Sequence, residues 1–129
     1  MKKYTAYKGN KFVIEWYFDS KGNSQVKEYF LKLDEDQQDK LFHLFLVMGN
    51  LGQIKNISKF NFEGDAIYAF KPKPDRFLCF FFEGHKIIVT NAFVKKQQKL
   101  PSNEKVKALK IRDDYIKRVK EDKYYDNEK

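Results

Sequence analysis

The chain is poor in the residues on which metal sites and nucleophilic enzymes depend. Its 129 residues include two histidines and one cysteine, and neither His43 nor His85 is spaced from a second ligand as zinc sites require. The sequence also has no glycine-rich phosphate loop and no motif for an activated serine nucleophile. We therefore expect no bound metal and no cofactor, so that any chemistry falls to lysine, arginine and tyrosine side chains.

The single cysteine and the short apolar runs exclude an intramolecular disulfide and a membrane-spanning segment. The single cysteine, Cys79, cannot form an intramolecular disulfide, and its place in an apolar run predicts a buried, inert thiol. That run, residues 77–82, is the longest apolar stretch and is far too short to cross a bilayer. The basic N-terminus is not followed by the apolar segment of a secretory signal. Together these absences predict a cytoplasmic protein with no membrane partner.

Positive charge is what the chain has in excess. The net charge is +8, and residues 71–120 hold 14 lysines and arginines against five acidic residues, whereas the rest of the chain is close to neutral. A positive field confined to one half of the sequence favours an acidic partner, either a nucleic acid or an acidic protein segment. The alternative is a lysine-rich surface that only keeps the protein soluble.

The hydrophobic pattern predicts one α+β domain that takes in the whole chain, residues 1–129. A capping serine, Ser24, and a capping box from Asp34 to Gln37 mark the starts of two helices that form a hairpin. Later apolar runs are separated by tight turns, which require antiparallel neighbours. The predicted order is an N-terminal strand (12–18), a helical hairpin (24–33 and 34–50), a three-stranded antiparallel meander (67–71, 76–83 and 86–95), a C-terminal helix (from 102 to about 120) and a frayed tail (119–129).

Six cations are expected at or next to one end of this meander. They come from the strand ends, the first turn and the segment after the third strand: Lys71, Lys73, Arg76, Lys95, Lys96 and Lys99. Like charges held close together repel one another, so their convergence favours a ligand that offsets the cost, such as a phosphate backbone. The alternative is that lysines simply end strands where the chain reaches water. An RNA backbone supplies its own nucleophile, the 2′-hydroxyl, and therefore suits a site without histidine or cysteine.

One segment resembles a known family. The run Phe-Val-Lys-Lys-Gln-Gln-Lys-Leu-Pro at residues 93–101, followed by Ala108, Arg112 and Tyr115, resembles the C-terminal signature of HigB-like toxins of the RelE/ParE superfamily. The helical hairpin and the strands before the signature follow the same order as in that family, so the resemblance covers residues 12–118. The resemblance implies a RelE-like fold and a toxin of a type II toxin–antitoxin pair that cuts mRNA on the ribosome without a metal.

The resemblance also implies roles for the cations. Arg76, Lys95 and Lys96 correspond to catalytic positions, with Arg76 on the scissile phosphate, and Lys71, Lys73 and Lys99 are expected to bind RNA. The general base stays open between Lys71 and Lys96. The implied partners are the ribosome, mRNA and a cognate antitoxin of the helix-turn-helix type.

Two other functions are compatible with the same sequence. ParE-like relatives of these toxins poison DNA gyrase, which needs a protein-binding surface and no RNA chemistry. A non-catalytic RNA-binding or interaction module of the same fold is the other alternative, because fold alone does not determine function.

Overall fold

A computed structural model describes residues 3–96 and 99–125 of the chain. Gln97 and Gln98 of the signature, and the end of the predicted tail at 126–129, lie outside the described residues. In chain order the elements are β1 (Thr5–Lys8), β2 (Val13–Trp16), α1 (Gln25–Leu31), α2 (Glu35–Leu51), β3 (Phe60–Phe62), β4 (Tyr68–Phe70), β5 (Asp75–Phe82), β6 (Lys86–Val94) and α3 (Ser102–Lys120).

The six strands form one mixed sheet in the order β1-β2-β6-β5-β4-β3. Strands β4, β5 and β6 are antiparallel neighbours, which confirms the predicted meander, while β2 pairs with β6 in parallel. A parallel neighbour needs a crossover, and the chain from β2 to β6 includes the helical hairpin. The molecule is therefore a single α+β domain with three helices and a six-stranded sheet.

Two apolar layers hold the helices on opposite faces of the sheet. Residues from α1 and α2, such as Phe45, pack with Phe77 in one cluster, whereas Tyr115 of α3 packs with Leu78 in the other. Successive residues of a strand point to opposite faces, so the apolar run 77–82 of β5 serves both layers. The prediction that this strand is covered on both sides is confirmed for Phe77–Phe80, where no side chain is more than 2% exposed.

The cysteine lies inside this strand. Cys79 is fully buried, and burial raises the pKa of its thiol, so the reactive thiolate is disfavoured. The predicted buried thiol is confirmed. Among the described residues, no helix combines the length and the apolar character that crossing a membrane requires.

The helical hairpin forms where the capping signals predicted it. The Ser24 hydroxyl accepts a hydrogen bond from the Lys27 amide, and the Asp34 carboxylate accepts one from the Gln37 amide at 2.9 Å. These side chains satisfy amides that the first turn of a helix leaves without a partner. Helix α2 ends at Gly52, whose φ of 81° is a left-handed conformation that glycine adopts at little cost.

The predicted sheet was too small. Strands β1 and β3 were not predicted, and the first predicted strand, 12–18, is shorter as β2. Both missing strands are short edge strands of four and three residues. Such strands are stabilised by pairing with a neighbour and carry little signal of their own in the sequence.

The end of the chain is also more ordered than predicted. Residues 119–125 were expected to be part of a frayed tail, but Tyr124 is 3% exposed and its hydroxyl accepts a hydrogen bond from the Phe18 amide at 2.9 Å. The Tyr125 hydroxyl donates to Glu15 at 2.6 Å, and the Arg118 guanidinium lies over the Tyr124 ring. Aromatic burial and hydroxyl pairing thus hold the segment that follows α3 onto β2.

Candidate functional site

Three chain segments meet at one end of the sheet. Lys71 follows β4, Arg76 is the second residue of β5, and Lys95 follows β6. Two backbone hydrogen bonds of 3.0 Å tie these segments together, from the Asp75 amide to the Pro72 carbonyl and from the Lys95 amide to the Pro74 carbonyl. The loop between β4 and β5 is therefore fixed against the end of β6.

Four of the predicted cations share this place, which we name the cationic corner: Lys71, Lys73, Arg76 and Lys95. Lys71 is close enough to the other three for each of them to influence its titration. None of the salt bridges formed within residues 3–96 and 99–125 includes any of the four. Within the described residues the corner thus concentrates positive charge that forms no ion pair.

The pKa of Lys71 is lowered by its surroundings in the corner. Burial is the main reason why the pKa of its ammonium group is lowered, and Arg76, Lys95 and Lys73 lower it further by repulsion. Glu63 acts in the opposite direction. The Lys71 Nζ donates a hydrogen bond to the Ile57 carbonyl at 3.0 Å, which holds the amine at the edge of the corner.

Arg76 is buried and only partly paired. Its side chain is on the α3 side of β5, because strand alternation places it on the same face as Leu78. One guanidinium nitrogen, Nη1, donates to the Asp75 carbonyl at 3.0 Å, while Nε is buried without a partner among the described residues. A buried donor without an acceptor costs about 1–3 kcal/mol, so an anion bound by the free N–H groups would lower the energy of the site.

The start of β5, which carries Arg76, is held by the helical hairpin through Asp75. This carboxylate is 3% exposed and accepts hydrogen bonds from the Tyr29 hydroxyl of α1 and from the Gln37 Nε2 of α2, the latter at 2.9 Å. The same Gln37 nitrogen also donates to the Pro72 and Lys73 carbonyls. Burial, and then the bond to Asp75, raise the pKa of Tyr29, so its hydroxyl stays protonated and donates.

Two predicted site residues, Lys96 and Lys99, are exposed. Neither is among the charges that shift the pKa of Lys71 in the described part of the chain, whereas Arg76, Lys95 and Lys73 are. Four of the six cations are therefore connected through Lys71, and the assignment of all six to one site stays a prediction.

Several residues of the site were not found in the sequence. Glu63 follows β3, a strand that was not predicted, so nothing indicated that this carboxylate would lie near Lys71 and Arg76. Gln37 was interpreted only as part of a capping box, and Tyr29 was given no role in the site. Their hydrogen bonds to Asp75 span 46 and 38 positions of the sequence, and no local pattern predicts a contact of that kind.

Across residues 3–96 and 99–125 no three histidine, cysteine, aspartate or glutamate side chains are grouped as a metal ion needs. His43 lies on the exposed side of α2, and His85 lies in the turn between β5 and β6, at the far end of β5 from Arg76.

Comparison with known families assigns the chain to one of them. The family model described as phage-derived Gp49-like protein (DUF891) matches residues 28–113, two thirds of the sequence. This chain belongs to the Gp49-like family. No curated protein matches the chain.

The Gp49-like family is a RelE-like family of type II toxins, and membership suggests an antitoxin partner. The matched region of this Gp49-like chain contains all four residues of the cationic corner, together with Lys96 and Lys99. It also contains Tyr29, Gln37 and Asp75, so the hydrogen bonds that hold the corner fall within the family unit.

Proposed function

We propose that this Gp49-like protein is a HigB-like toxin whose RelE-like domain, residues 1–129, cuts mRNA on the ribosome without a metal ion. The observation that carries the proposal is the cationic corner. Lys71, Lys73, Arg76 and Lys95 converge without an ion pair among the described residues, and Arg76 keeps N–H groups that have no acceptor. A fixed set of unpaired cations suits a phosphodiester and the extra negative charge that develops on it during cleavage.

In the proposed reaction the 2′-oxygen of the RNA attacks the adjacent phosphorus. Arg76 and Lys95 hold the phosphate oxygens and stabilise their charge, because a guanidinium can donate two parallel hydrogen bonds to a phosphate. The bond to the 5′-oxygen breaks, which leaves a 2′,3′-cyclic phosphate, and the 5′-oxygen takes a proton from an ammonium group of the corner. Lys73, Lys96 and Lys99 bind the neighbouring phosphates.

Lys71 is the better of the two candidates for the general base. A lysine accepts a proton only as the neutral amine, and the lowered pKa of Lys71 raises the neutral fraction at a given pH. Lys96 is exposed and lies outside the corner. We therefore assign the removal of the 2′-hydroxyl proton to Lys71.

The ribosome is part of the proposal because the corner has no histidine and aligns RNA only through charge. Attack by the 2′-oxygen requires that it lie opposite the leaving 5′-oxygen, and a structured complex can impose that geometry. We expect efficient cleavage of mRNA that is being translated and little cleavage of naked RNA. The proposed antitoxin, a protein of the helix-turn-helix type, neutralises the toxin before it reaches the ribosome.

Expression of the chain without an antitoxin tests the proposal. We expect growth arrest, with new mRNA ends inside translated regions, and we expect Arg76→Ala to relieve the arrest while the purified variant keeps its melting temperature. A fully toxic, folded Arg76→Ala variant would contradict the role of Arg76. Double-strand DNA breaks with intact mRNA would instead select a gyrase-directed toxin, and growth without arrest would count against a toxin of either kind.

A further inference from the structure

A cavity of about 450 Å³ lies next to the cationic corner, between α2 and the segments 58–59 and 71–73. Two residues of the corner, Lys71 and Lys73, form part of its wall, so the cavity adjoins the corner from the α2 side of the sheet, whereas the Arg76 side chain is on the α3 side. Ligand pockets in proteins commonly measure roughly 300–1,000 Å³. The cavity is therefore large enough for one small polar molecule, or for one unit of a chain molecule bound at the corner.

The lining combines three kinds of group. Four lysines and two aspartates face the space: Lys40, Lys59, Lys71, Lys73, Asp36 and Asp39. Leu44 and Pro72 supply apolar surface, Ser58 supplies a hydroxyl group, and His43 supplies an imidazole ring. Ammonium groups bind phosphate, carboxylates accept hydrogen bonds from the amino groups of a base, and an apolar wall can pack against the face of a base.

The walls of this cavity are fixed in place. The Lys71 amide donates to the Lys59 carbonyl at 2.8 Å, and the Lys71 ammonium donates to the Ile57 carbonyl, so the two loop segments are joined. On the other side Gln37 of α2 holds the carbonyl of Lys73. A cavity that is preformed loses little conformational entropy when it binds a ligand.

We propose that this cavity binds a nucleotide of the RNA strand whose neighbouring phosphate lies at the cationic corner. The proposal rests on the function proposed above and adds to it a place for a base beside the cut. Lys40 and Lys73 take the phosphate of that nucleotide, while Asp36 and Asp39 face the polar edge of its base. The same two aspartates would repel an acidic peptide, which makes a nucleotide the better occupant of a pocket that also contains lysines.

The test measures binding and does not need cleavage. The Arg76→Ala protein, which we expect to be harmless to the host, is titrated with adenosine monophosphate while its amide resonances are followed by NMR. We expect shifts centred on Asp39, His43, Ser58 and Lys71, with weaker binding of adenosine and of inorganic phosphate because each supplies only half of the ligand. Absence of shifts at these residues, or equal binding of phosphate alone, would overturn the proposal.

Matched double variants separate the cavity from general charge. Lys40→Ala/Lys73→Ala removes two lysines of the lining, and Lys110→Ala/Lys120→Ala removes two exposed lysines of α3 that lie outside it. Loss of two charge-assisted contacts should weaken nucleotide binding by about tenfold in the first variant, with less than about a twofold change in the second. Equal losses in both would mean that the nucleotide binds the surface without using the cavity.

Three further results distinguish the possible failures. If an oligomer of glutamate displaces the nucleotide and shifts the same amides more strongly, the cavity is a site for an acidic protein segment and this inference is wrong. If the nucleotide binds as described but the wild-type protein cuts no mRNA on ribosomes, the proposed function fails while the nucleotide site stands. If cleavage is found and no nucleotide binds, only this inference fails.

Discussion

The lowered pKa of Lys71 leads to a prediction about the pH dependence of the proposed reaction. Its ordinary pKa is 10.5, and burial together with three cationic neighbours lowers that value. A base works in its deprotonated form, so the rate of a reaction that depends on Lys71 should rise with pH and level off once the amine is neutral. Because the pKa is lowered, the plateau should begin at a lower pH than an exposed lysine would give.

Lys71→Arg tests this assignment, because arginine keeps the positive charge and stays protonated at any pH at which the protein is folded. We expect the rate of mRNA cleavage on programmed ribosomes to fall by about 10²–10⁴-fold, the usual contribution of a general base, and the rise with pH to disappear. Lys110→Arg, on the exposed side of α3, is the control and should behave as wild type. A Lys71→Arg enzyme with an unchanged rate and pH profile would exclude Lys71 as the base.

Hydrogen bonds from the helical hairpin position the β4–β5 loop and the start of β5. Tyr29 of α1 and Gln37 of α2 both donate to Asp75, the residue before Arg76, and therefore set where β5 begins relative to the helices. The Tyr29 ring also packs edge-on against Phe77 at 5.6 Å between centroids. Hydrogen bonds thus hold Asp75, and ring packing holds Phe77, on the same face of β5.

Tyr29→Phe removes the hydroxyl and leaves the ring contact. The buried Asp75 carboxylate would lose one of its donors, so we expect the free energy of unfolding to fall by about 1–3 kcal/mol. We also expect weaker toxicity, because the start of β5, which carries Arg76, is less firmly held. Chemical denaturation and a growth assay measure the two effects.

The control for this change is Tyr68→Phe, since the Tyr68 hydroxyl forms no hydrogen bond with the described residues and its ring is packed in the same apolar layer. We expect Tyr68→Phe to alter stability by less than about 0.5 kcal/mol. If Tyr29→Phe is as stable and as toxic as wild type, the hydrogen bond to Asp75 does not position the corner.

Elements with strong local signals were predictable, and elements that depend on a neighbour were not. Ser24 and Asp34 marked the helix starts, and the apolar run around Cys79 marked the central strand. Strand β3 is three residues long, and its pairing with β4 is decided by contacts that the sequence does not display. The tail was misjudged because its tyrosines were counted as polar, whereas Tyr124 is buried against Phe18 and Arg118.

At the scale of the whole molecule, the meander explains why part of the site could be predicted. Once three antiparallel strands are placed in order, the ends that carry Lys71, Arg76 and Lys95 must meet. Which residues support them could not be predicted, because Glu63 comes from an edge strand and Gln37 from across the helical hairpin. The strand order was therefore enough to predict where the cations lie. The positions of Glu63, which acts on their pKa values, and of Gln37, which holds Asp75, depend on tertiary packing.

The charge distribution of the whole molecule leads to the last prediction, which concerns the antitoxin that the family suggests. Residues 71–120 have a net charge of +9, and a partner that silences this surface by contact should place acidic side chains against Arg76, Lys95 and Lys96. Opposite charges steer two proteins together, so association should be fast at low salt and should slow as the ionic strength rises. Stopped-flow measurement of the association rate across an ionic-strength series checks this expectation.

A pair of double variants shows whether the partner touches this edge of the sheet. Lys95→Ala/Lys96→Ala should slow association and lower the affinity, because Lys95 belongs to the corner and Lys96 follows it in the chain, whereas Lys110→Ala/Lys120→Ala removes the same charge from exposed positions of α3 and should have the smaller effect. The alternative is an antitoxin that binds the helical hairpin, where Phe42 and Leu46 of α2 are exposed one turn apart. An association rate that does not respond to salt, together with unchanged affinity in the Lys95→Ala/Lys96→Ala variant, would establish binding away from the cations and exclude direct masking of the corner.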